Sequence, residues 1–418
     1  MDDRALLETL FHHAVARAQP ALAVARHLPE PPRGRTLVIG AGKASAQMAR
    51  AFETAWPGPV EGLVVTRYGY AEPCERIEIV EAAHPVPDAA GQQAAARLQQ
   101  LVAGLTPDDL VVALISGGGS SLLPAPAPGL TLEDEQAVNR ALLASGAPIG
   151  AMNLIRNQFS TIKGGRLAAL AAPARVATLV VSDVPGDDPA LVASGPTLPL
   201  AGGRAAARRL AALYRLDLPA AAAALLAGED NPPPDPDDAV FARNSVVTIA
   251  SAALSLEAAA ALAGEHGVEA AILSDAIEGE ARDVALVHAA LAREIVQRDR
   301  PFAKPVLLLS GGETTVTLRG AGRGGRNGEF LLSLAIALDG VGGVTALAAD
   351  TDGIDGSEDN AGAFVDGGTA QRMREAGIDP QAALADNDAY TAFAAIGDLL
   401  VTGPTGTNVN DFRAILVR

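Results

Sequence analysis

Short apolar segments alternate with helical segments along almost the whole chain, and this alternation constrains the fold more than any other feature. Strands are predicted near 36–39, 62–66, 77–80, 110–115 and 177–181, with helical segments such as 90–104 and 132–145 between them. Strands separated by helices are typical of a mostly parallel sheet that helices cover on both faces. The sequence therefore predicts an α/β fold of the Rossmann-like kind.

The chain is also too long for one ordinary core, since it has 418 residues. A proline- and acid-rich segment at 231–238 is the best boundary, although a long surface loop is an alternative for it. Beyond this segment the alternation of strands and helices begins again. We expect two Rossmann-like domains, 1–240 and 241–418, each with a mostly parallel sheet covered by helices, and an active site in the cleft between them.

Two glycine turns repeat each other in the two halves of the chain. Ser116-Gly-Gly-Gly-Ser-Ser121 and Ser310-Gly-Gly-Glu-Thr-Thr315 each follow an apolar strand directly. In open α/β sheets, ligands bind at the carboxyl ends of the strands. We therefore expect both turns to open onto the same cleft, and three glycines followed by hydroxyl groups to bind a phosphate or a carboxylate. A glycine-rich loop without a ligand is the alternative.

The charge balance restricts the partners. A net charge of −17 and a pI near 4.8 argue against nucleic acid and anionic membranes. An acidic enzyme that binds phosphate must rely on local donors, namely backbone amides, a few basic side chains and a divalent cation. With one cysteine, no signal-peptide pattern and no long apolar run, a cytoplasmic protein is expected, and a homo-oligomer is left open.

Lysine is rare, and its positions are informative. Only three of the 32 basic residues are lysines, and Lys43 and Lys163 both adjoin glycines, whereas Lys304 does not. Lys43 follows a strand in Val38-Ile-Gly-Ala-Gly-Lys-Ala-Ser45, where amides and a mobile ammonium group could meet an anion. Beside Lys163, a helix end that contacts its own last carbonyls is an equally good interpretation.

The first glycine turn fits neither of two common nucleotide motifs. It is not a Walker A loop, because Leu37 and Ala44 occupy the positions of the leading glycine and the metal-binding hydroxyl. It is a poor dinucleotide fingerprint, because Ser45 replaces the third glycine and the next strand ends at Arg67 rather than at an acid.

Three further segments carry charged side chains next to turns. Val181-Ser-Asp-Val-Pro-Gly-Asp-Asp-Pro189 could bind Mg²⁺ through water or accept a substrate hydroxyl, although Asp, Pro and Gly are also ordinary turn residues. Arg323-Gly-Gly-Arg-Asn-Gly-Glu-Phe330 leads into a helix and could bind an anion. Ala349-Asp-Thr-Asp-Gly-Ile-Asp-Gly356 suits Mg²⁺ with nucleotide phosphates but is not an EF-hand. Finally, 402–410 is a polar loop that could close over a site.

Together these segments, with Ala83-His-Pro-Val-Pro-Asp88 and Ser194-Gly-Pro-Thr197, resemble class II glycerate kinases, the family with a MOFRL-type C-terminal domain. The resemblance covers about 36–418. It implies transfer of phosphate from ATP, with Mg²⁺, to the 2-hydroxyl of D-glycerate, with Lys43 and Arg326 as the principal cations. One departure is Asn157-Gln158, where the family pattern has Lys-His. A hydroxypyruvate reductase using NAD(P)H and a non-catalytic sugar-phosphate sensor are the alternatives.

The candidate residues form three groups. The catalytic candidates are Lys43, Arg326 and Asp188, with Glu313 as a second candidate base; the substrate- or phosphate-binding candidates are Gly42, Ser116, Gly117, Gly118, Gly119, Ser120, Ser121, Lys163, Gly312, Glu313, Asn327 and Asn408; and the metal candidates are Asp350, Asp352 and Asp355.

Overall fold

The computed structural model describes residues 2–229 and 232–418. These residues form two compact units: an N-terminal unit, Pro20–Ile249, and a C-terminal unit, which combines the residues up to Gln19 with Ala250–Arg418. Each unit contains a six-stranded sheet. The predicted α/β class and the predicted presence of two domains are therefore confirmed.

The strands follow one another at intervals that leave room for helices. They are β1 (Thr36–Ala41), β2 (Glu61–Arg67), β3 (Ile77–Ala82), β4 (Leu110–Ser116), β5 (Arg175–Val181), β6 (Ser245–Ala250), β7 (Glu269–Glu280), β8 (Val306–Thr315), β9 (Val344–Asp350), β10 (Gly362–Asp366), β11 (Leu399–Leu400) and β12 (Asp411–Val417).

The helices range from one turn to five. They are α1 (Asp3–Arg17), α2 (Pro20–Ala25), α3 (Ser45–Ala55), α4 (Ala89–Val102), α5 (Gly119–Leu122), α6 (Leu132–Ala144), α7 (Ile149–Arg156), α8 (Arg166–Ala171), α9 (Gly203–Leu213), α10 (Ala220–Ala227), α11 (Ala252–Glu265), α12 (Ala281–Arg298), α13 (Arg326–Ala337), α14 (Thr369–Glu375), α15 (Pro380–Ala385) and α16 (Ala389–Ile396). None of the described helices is both long enough and apolar enough to cross a membrane.

The first sheet has the strand order β3-β2-β1-β4-β5-β6, which is the doubly wound Rossmann order. The pairs among β1 to β5 are all parallel. Every residue of β1 and β4 is buried, as expected for central strands that helices cover on both faces. The strand order changes direction between β1 and β4, and ligands bind at such switch points in open α/β sheets.

The second sheet, β11-β10-β9-β12-β8-β7, departs from the expected pairing. Only β7 and β8 are parallel neighbours among its described pairs, because the terminal strand β12 runs antiparallel between β8 and β9, and β10 is antiparallel to β9 and β11. Four of the six strands still point in one direction. An antiparallel strand can insert between two parallel ones without changing their apolar pattern, which is why the sequence did not indicate it.

The expected boundaries of 1–240 and 241–418 need two corrections. The compact units divide at Ile249 rather than at 240, and the predicted boundary segment begins at Asn231, which lies outside the described residues. Helix α1 belongs to the C-terminal unit, where Phe11 packs against Phe412 and the carbonyl of Ala14 accepts from Ser255. An amphipathic helix at the start of a chain shows an apolar face but not the sheet that the face will cover.

Candidate functional site

Four adjacent strands of the first sheet end at one edge, and each delivers a polar or glycine residue there. Lys43 follows β1, Arg67 ends β2, His84 follows β3 and Gly117 follows β4. Because these strands are parallel, their carboxyl ends lie at the same edge of the sheet. The turns after β1 and β4 flank the switch point, so the fold places them where a ligand is expected.

The turns after β1 and β4 are joined by hydrogen bonds. Ser116 Oγ accepts from the Ala44 amide at 3.1 Å and lies 3.0 Å from Ser45 Oγ, while the Lys43 amide donates to the Gly117 carbonyl at 2.8 Å. Gly42 has φ +146°, and a Cβ there would lie 2.1 Å from Ser116 Oγ. The structure therefore gives Ser116 and Gly42, both candidate ligands, a role in holding the turns together.

Three side chains surround the second turn. A Cβ on Gly118, whose φ is +79°, would lie 3.0 Å from His84 Nε2 and 3.1 Å from Lys43 Cγ. A Cβ on Gly117 would lie 1.7 Å from an oxygen of Asp183. Lys43, His84 and Asp183 therefore leave no room for side chains on the turn, and all three lie close to its backbone.

Lys43 differs from the other two lysines in its partners. Lys304 Nζ lies 2.8 Å from Asp299, and Lys163 Nζ donates to Glu135 at 2.7 Å. Lys43 is half-buried and forms no ion pair with any residue in 2–229 or 232–418. An ammonium group without a carboxylate partner at this edge is available to an anionic ligand.

Lys163 cannot serve as the predicted phosphate ligand in this structure. Its ammonium group is fully buried between Glu135 and the Leu123 carbonyl, which accepts at 2.8 Å. Burial lowers the pKa of Lys163, and Glu135 opposes this shift. The rare lysine is therefore part of a buried ion pair in the N-terminal unit.

The hydroxyl groups of the second turn are also engaged within the protein. Ser120 Oγ lies 2.8 Å from Ser194 Oγ, and Ser121 Oγ donates to the Gly118 carbonyl at 3.1 Å. Gly119 is crowded, since a Cβ there would lie 2.7 Å from Ala193. The backbone of this turn is therefore more available to a ligand than its hydroxyl groups.

Asp188, the candidate base, lies in the exposed loop after β5, where its Oδ1 accepts from the Ala190 amide at 3.0 Å. The structure brings Asp183 instead to the glycine turn. Both carboxylates belong to the same predicted segment. The spacing within a turn-rich loop did not distinguish the side chain that faces the site.

In the C-terminal unit, Arg326 is the first residue of α13 and contacts three carboxylates. Its Nε donates to Asp411 at 2.6 Å, one terminal nitrogen donates to Asp350 at 2.7 Å and the other to Glu313 at 2.8 Å. Burial acts against its charge, but these three acids together raise the pKa of Arg326 above its ordinary value. Because a guanidinium has five N–H groups, donors remain for an anion.

A second arginine lies beneath this group. Arg413 is fully buried, pairs with Asp411 and donates to Thr314 Oγ1 at 3.0 Å. Asn327 Nδ2 also donates to Asp411, at 2.9 Å, and the Oδ1 of Asn327 is buried without a hydrogen-bond partner among the described residues. The candidates Arg326, Asn327 and Glu313 thus lie in one cluster with Asp350 and Asp411.

The remaining candidates of this unit have local roles. Gly312 has φ +119°, and a Cβ there would lie 2.3 Å from the Ile277 amide, at the irregular part of the β7–β8 pairing. Asn408 Oδ1 accepts from the Asn410 amide at 2.9 Å. Neither residue has a contact that indicates a ligand.

The three predicted metal candidates do not converge in this structure. Asp350 pairs with Arg326, Asp352 Oδ1 accepts from the Ile354 amide at 2.8 Å, and Asp355 accepts from the amides of Asn327 and Gly328 at the start of α13. In residues 2–229 and 232–418, no three His, Cys, Asp or Glu side chains are placed to hold a metal ion together. Each of these three carboxylates accepts from N–H groups of the protein.

Two of these acids are deeply buried. Burial raises the pKa of Asp355 to about 6, although the amides of Asn327 and Gly328 act in the opposite direction. Burial also raises the pKa of Asp350, which Arg326 opposes. The acids thus stabilise the entrance of α13 and the orientation of Arg326, which requires them to stay near their donors.

Sequence reasoning passed over His84, Asp411 and Arg413. His84 lies in a proline-rich segment without a repeated spacing, and the pair in β12 looks like an ordinary strand end. For His84, its position just after a strand whose carboxyl end lies at the site was a signal that could have found it, whereas Asp411 and Arg413 lie at the start of an antiparallel strand.

Comparison with known proteins gives consistent results. The family described as "Domain of unknown function (DUF4147)" matches residues 6–227, and the MOFRL family matches residues 306–411. D-glycerate 2-kinase of Thermotoga maritima is 40% identical over 94% of this chain and 93% of its own length. A protein from Agrobacterium vitis, provisionally named a hydroxypyruvate reductase, is 54% identical over 99% of this chain and 94% of its own.

A solved structure also matches this chain. The crystal structure of glycerate kinase from Thermotoga maritima superposes with a TM-score of 0.90 at 38% identity, and the match covers 99% of both chains. The fold and these matches define an enzyme of the kinase class. More particularly, the chain belongs to the glycerate 2-kinase family, in which a DUF4147 region is combined with a MOFRL region.

The buried Lys163–Glu135 pair leads to a stability prediction. Lys163→Met should lower the free energy of unfolding by about 3–5 kcal/mol, because it leaves the Glu135 carboxylate buried without a partner. Adding Glu135→Gln should recover part of this loss. Lys304→Met, which breaks an exposed pair, is the control and should cost no more than about 1 kcal/mol. Urea unfolding measures all three. A Lys163→Met variant with unchanged stability would show that the pair is not structural.

Proposed function

We propose that this protein transfers the γ-phosphoryl group of ATP to the 2-hydroxyl of D-glycerate, giving 2-phosphoglycerate and ADP. The observation that carries the proposal is Lys43, a lysine without an ion-pair partner in the described chain, at the switch point of the first sheet. The 40% identity to D-glycerate 2-kinase of Thermotoga maritima supports the choice of substrate and of the hydroxyl group.

The reaction needs positive charge where the phosphoryl group moves. The hydroxyl oxygen of the substrate bonds to the γ-phosphorus, the bond from that phosphorus to the ADP oxygen breaks, and the hydroxyl proton is released. Cations directed at the moving group stabilise its charge in the transition state. Lys43 is the proposed cation of the N-terminal unit, with the backbone of Gly117 and Gly118 near the substrate carboxylate.

Arg326 is the proposed second cation. Its three carboxylate contacts fix the plane of the guanidinium, so that the remaining N–H groups have a defined direction. A fixed donor loses little freedom when an anion binds, which favours catalysis.

ATP and Mg²⁺ are the proposed cosubstrate and cation. Because the acidic side chains of the C-terminal unit do not form a metal-binding set, we assign no protein ligand to Mg²⁺ and propose that it accompanies the ATP phosphates. The net charge of −17 is a reason for such a cation, since the protein as a whole repels ATP.

Reduction of hydroxypyruvate with NAD(P)H is the second candidate, and the name of the Agrobacterium vitis relative favours it. The first glycine turn argues against it. Ser45 stands where a dinucleotide-binding turn has its third glycine, and its fully buried hydroxyl is hydrogen-bonded to Ser116. In addition, β2 ends at Arg67 instead of at an acid.

Two assays on the purified protein separate these functions. D-glycerate with ATP and Mg²⁺ should give a product that enolase converts directly, as expected for 2-phosphoglycerate. Hydroxypyruvate with NADH or NADPH should give no change in absorbance at 340 nm. Turnover in the second assay alone would contradict the proposal.

Removing the ammonium group of Lys43 tests its role. Lys43→Ala should lower kcat by about 10²–10³-fold, the cost of one strong transition-state donor, while the thermal unfolding temperature stays near that of the wild type. Lys304→Ala is the matched control, since that lysine pairs with Asp299 in the other unit, and its kcat should not change. A folded Lys43→Ala enzyme with full kcat would assign Lys43 to the turn alone.

Arg326→Lys tests the planar fork. A lysine keeps the charge but cannot bond three carboxylates in one plane, so kcat should fall about 10-fold or more, which corresponds to one lost charge-assisted hydrogen bond. Arg372→Lys is the control, because Arg372 pairs with Asp366 and Asp398 in the same unit. Steady-state kinetics with ATP titrated measures both. Equal activity of the two variants would remove Arg326 from the mechanism.

A further inference from the structure

His84 lies at the carboxyl edge of the first sheet but has no part in the chemistry described above. It follows β3, next to the strand that ends at Arg67, and its Nε2 lies 3.0 Å from where a Cβ on Gly118 would be. The stem of Lys43 approaches the same glycine from the turn after β1. The imidazole and the aliphatic stem of Lys43 therefore flank one point of the second glycine turn.

The imidazole is half-buried and makes no hydrogen bond to another residue in the described part of the chain. A neutral imidazole has one N–H donor and one nitrogen that accepts. A half-buried imidazole without a protein partner, in a cluster of polar groups, is available to form a hydrogen bond with a ligand.

Burial and two nearby positive charges favour the neutral form of this ring. Burial, together with the positive charges of Lys43 and Arg67, lowers the pKa of His84 to about 4. The two acids nearest to it in the chain are engaged elsewhere: Glu81 accepts from the Gly69 amide at 2.6 Å, and Asp88 accepts from the Tyr68 hydroxyl at 2.8 Å. Across the turn, Asp183 lies against Gly117.

We propose that His84 binds the 2-hydroxyl group of the acceptor substrate, with its unprotonated ring nitrogen accepting a hydrogen bond from that hydroxyl. This inference rests on the proposed function. The substrate carboxylate lies near the backbone of Gly117 and Gly118, and the hydroxyl that receives the phosphoryl group lies between the Lys43 ammonium and the imidazole. Because the lowered pKa keeps the ring neutral around neutral pH, its accepting nitrogen is available there.

The chemistry of the ligand fits this arrangement. A 2-hydroxy acid carries a carboxylate and a hydroxyl on adjacent carbons, so the backbone of the glycine turn and the neutral acceptor beside it bind both groups at once. A hydrogen bond from the hydroxyl to His84 also orients an oxygen lone pair toward an incoming phosphorus. His84 thus selects acids that have a hydroxyl group at the second carbon.

Two variants test the role in kinetics. His84→Ala should raise KM for D-glycerate about 10-fold, the cost of about one hydrogen bond, and leave KM for ATP unchanged. His84→Gln should restore most of the loss, because its amide oxygen accepts a hydrogen bond without being protonated. His13→Ala is the control, since His13 is exposed on α1. Thermal unfolding shows whether each variant is folded.

Calorimetric binding without ATP tests the role without turnover. The probes are D-glycerate and 3-hydroxypropionate, which has no 2-hydroxyl. The wild type should bind D-glycerate more tightly, and His84→Ala should abolish this difference by weakening D-glycerate alone. Equal weakening of both ligands, or undiminished binding of D-glycerate, would overturn the role of His84. If the wild type binds neither ligand and phosphorylates no D-glycerate, the proposed function itself has failed, and the role of His84 fails with it.

Discussion

The turns after β1 and β4 can meet only because residue 42 has no side chain. The Ser116 hydroxyl occupies the position of a Cβ at Gly42, and from there it holds the amide of Ala44 and the hydroxyl of Ser45. This contact fixes the direction in which Lys43 leaves the turn. The candidate site of the N-terminal unit therefore depends on a close approach of two backbones rather than on any single charged group.

The position of Lys43 matters because of the net charge of the chain. With a net charge of −17, long-range attraction cannot bring an anion to the protein. Lys163 is paired with a buried acid and Lys304 with an exposed one, whereas Lys43 has no carboxylate partner among the described residues. Arg326 differs from Lys43, because three carboxylates hold its guanidinium in place while leaving some of its N–H groups unused.

Much of the fold could be predicted because its signals are local. Apolar runs followed by glycine turns indicated the strands of the first sheet and the edge where their turns meet. The partners of individual side chains could not be predicted in this way. Glu135 lies 28 residues from Lys163, and nothing beside Lys163 distinguishes a buried ammonium group from an exposed one.

Long-range packing explains the other differences. Asp355 looked like a metal ligand because acids at a strand end suit a cation, but the amides at the start of α13 reach it first. The insertion of β12 between β8 and β9 depends on pairing across more than 60 residues, which short patterns do not record. His84 was missed because a single histidine shows its function only through its neighbours.

A crystal structure of the protein with D-glycerate tests the central claim most directly, which is that Lys43 at the switch point of the first sheet binds the substrate. We expect electron density for glycerate at the turns after β1 and β4, with a substrate oxygen about 3 Å from Lys43 Nζ. Glycerate bound elsewhere, with Lys43 out of reach of any of its oxygens, would contradict this account.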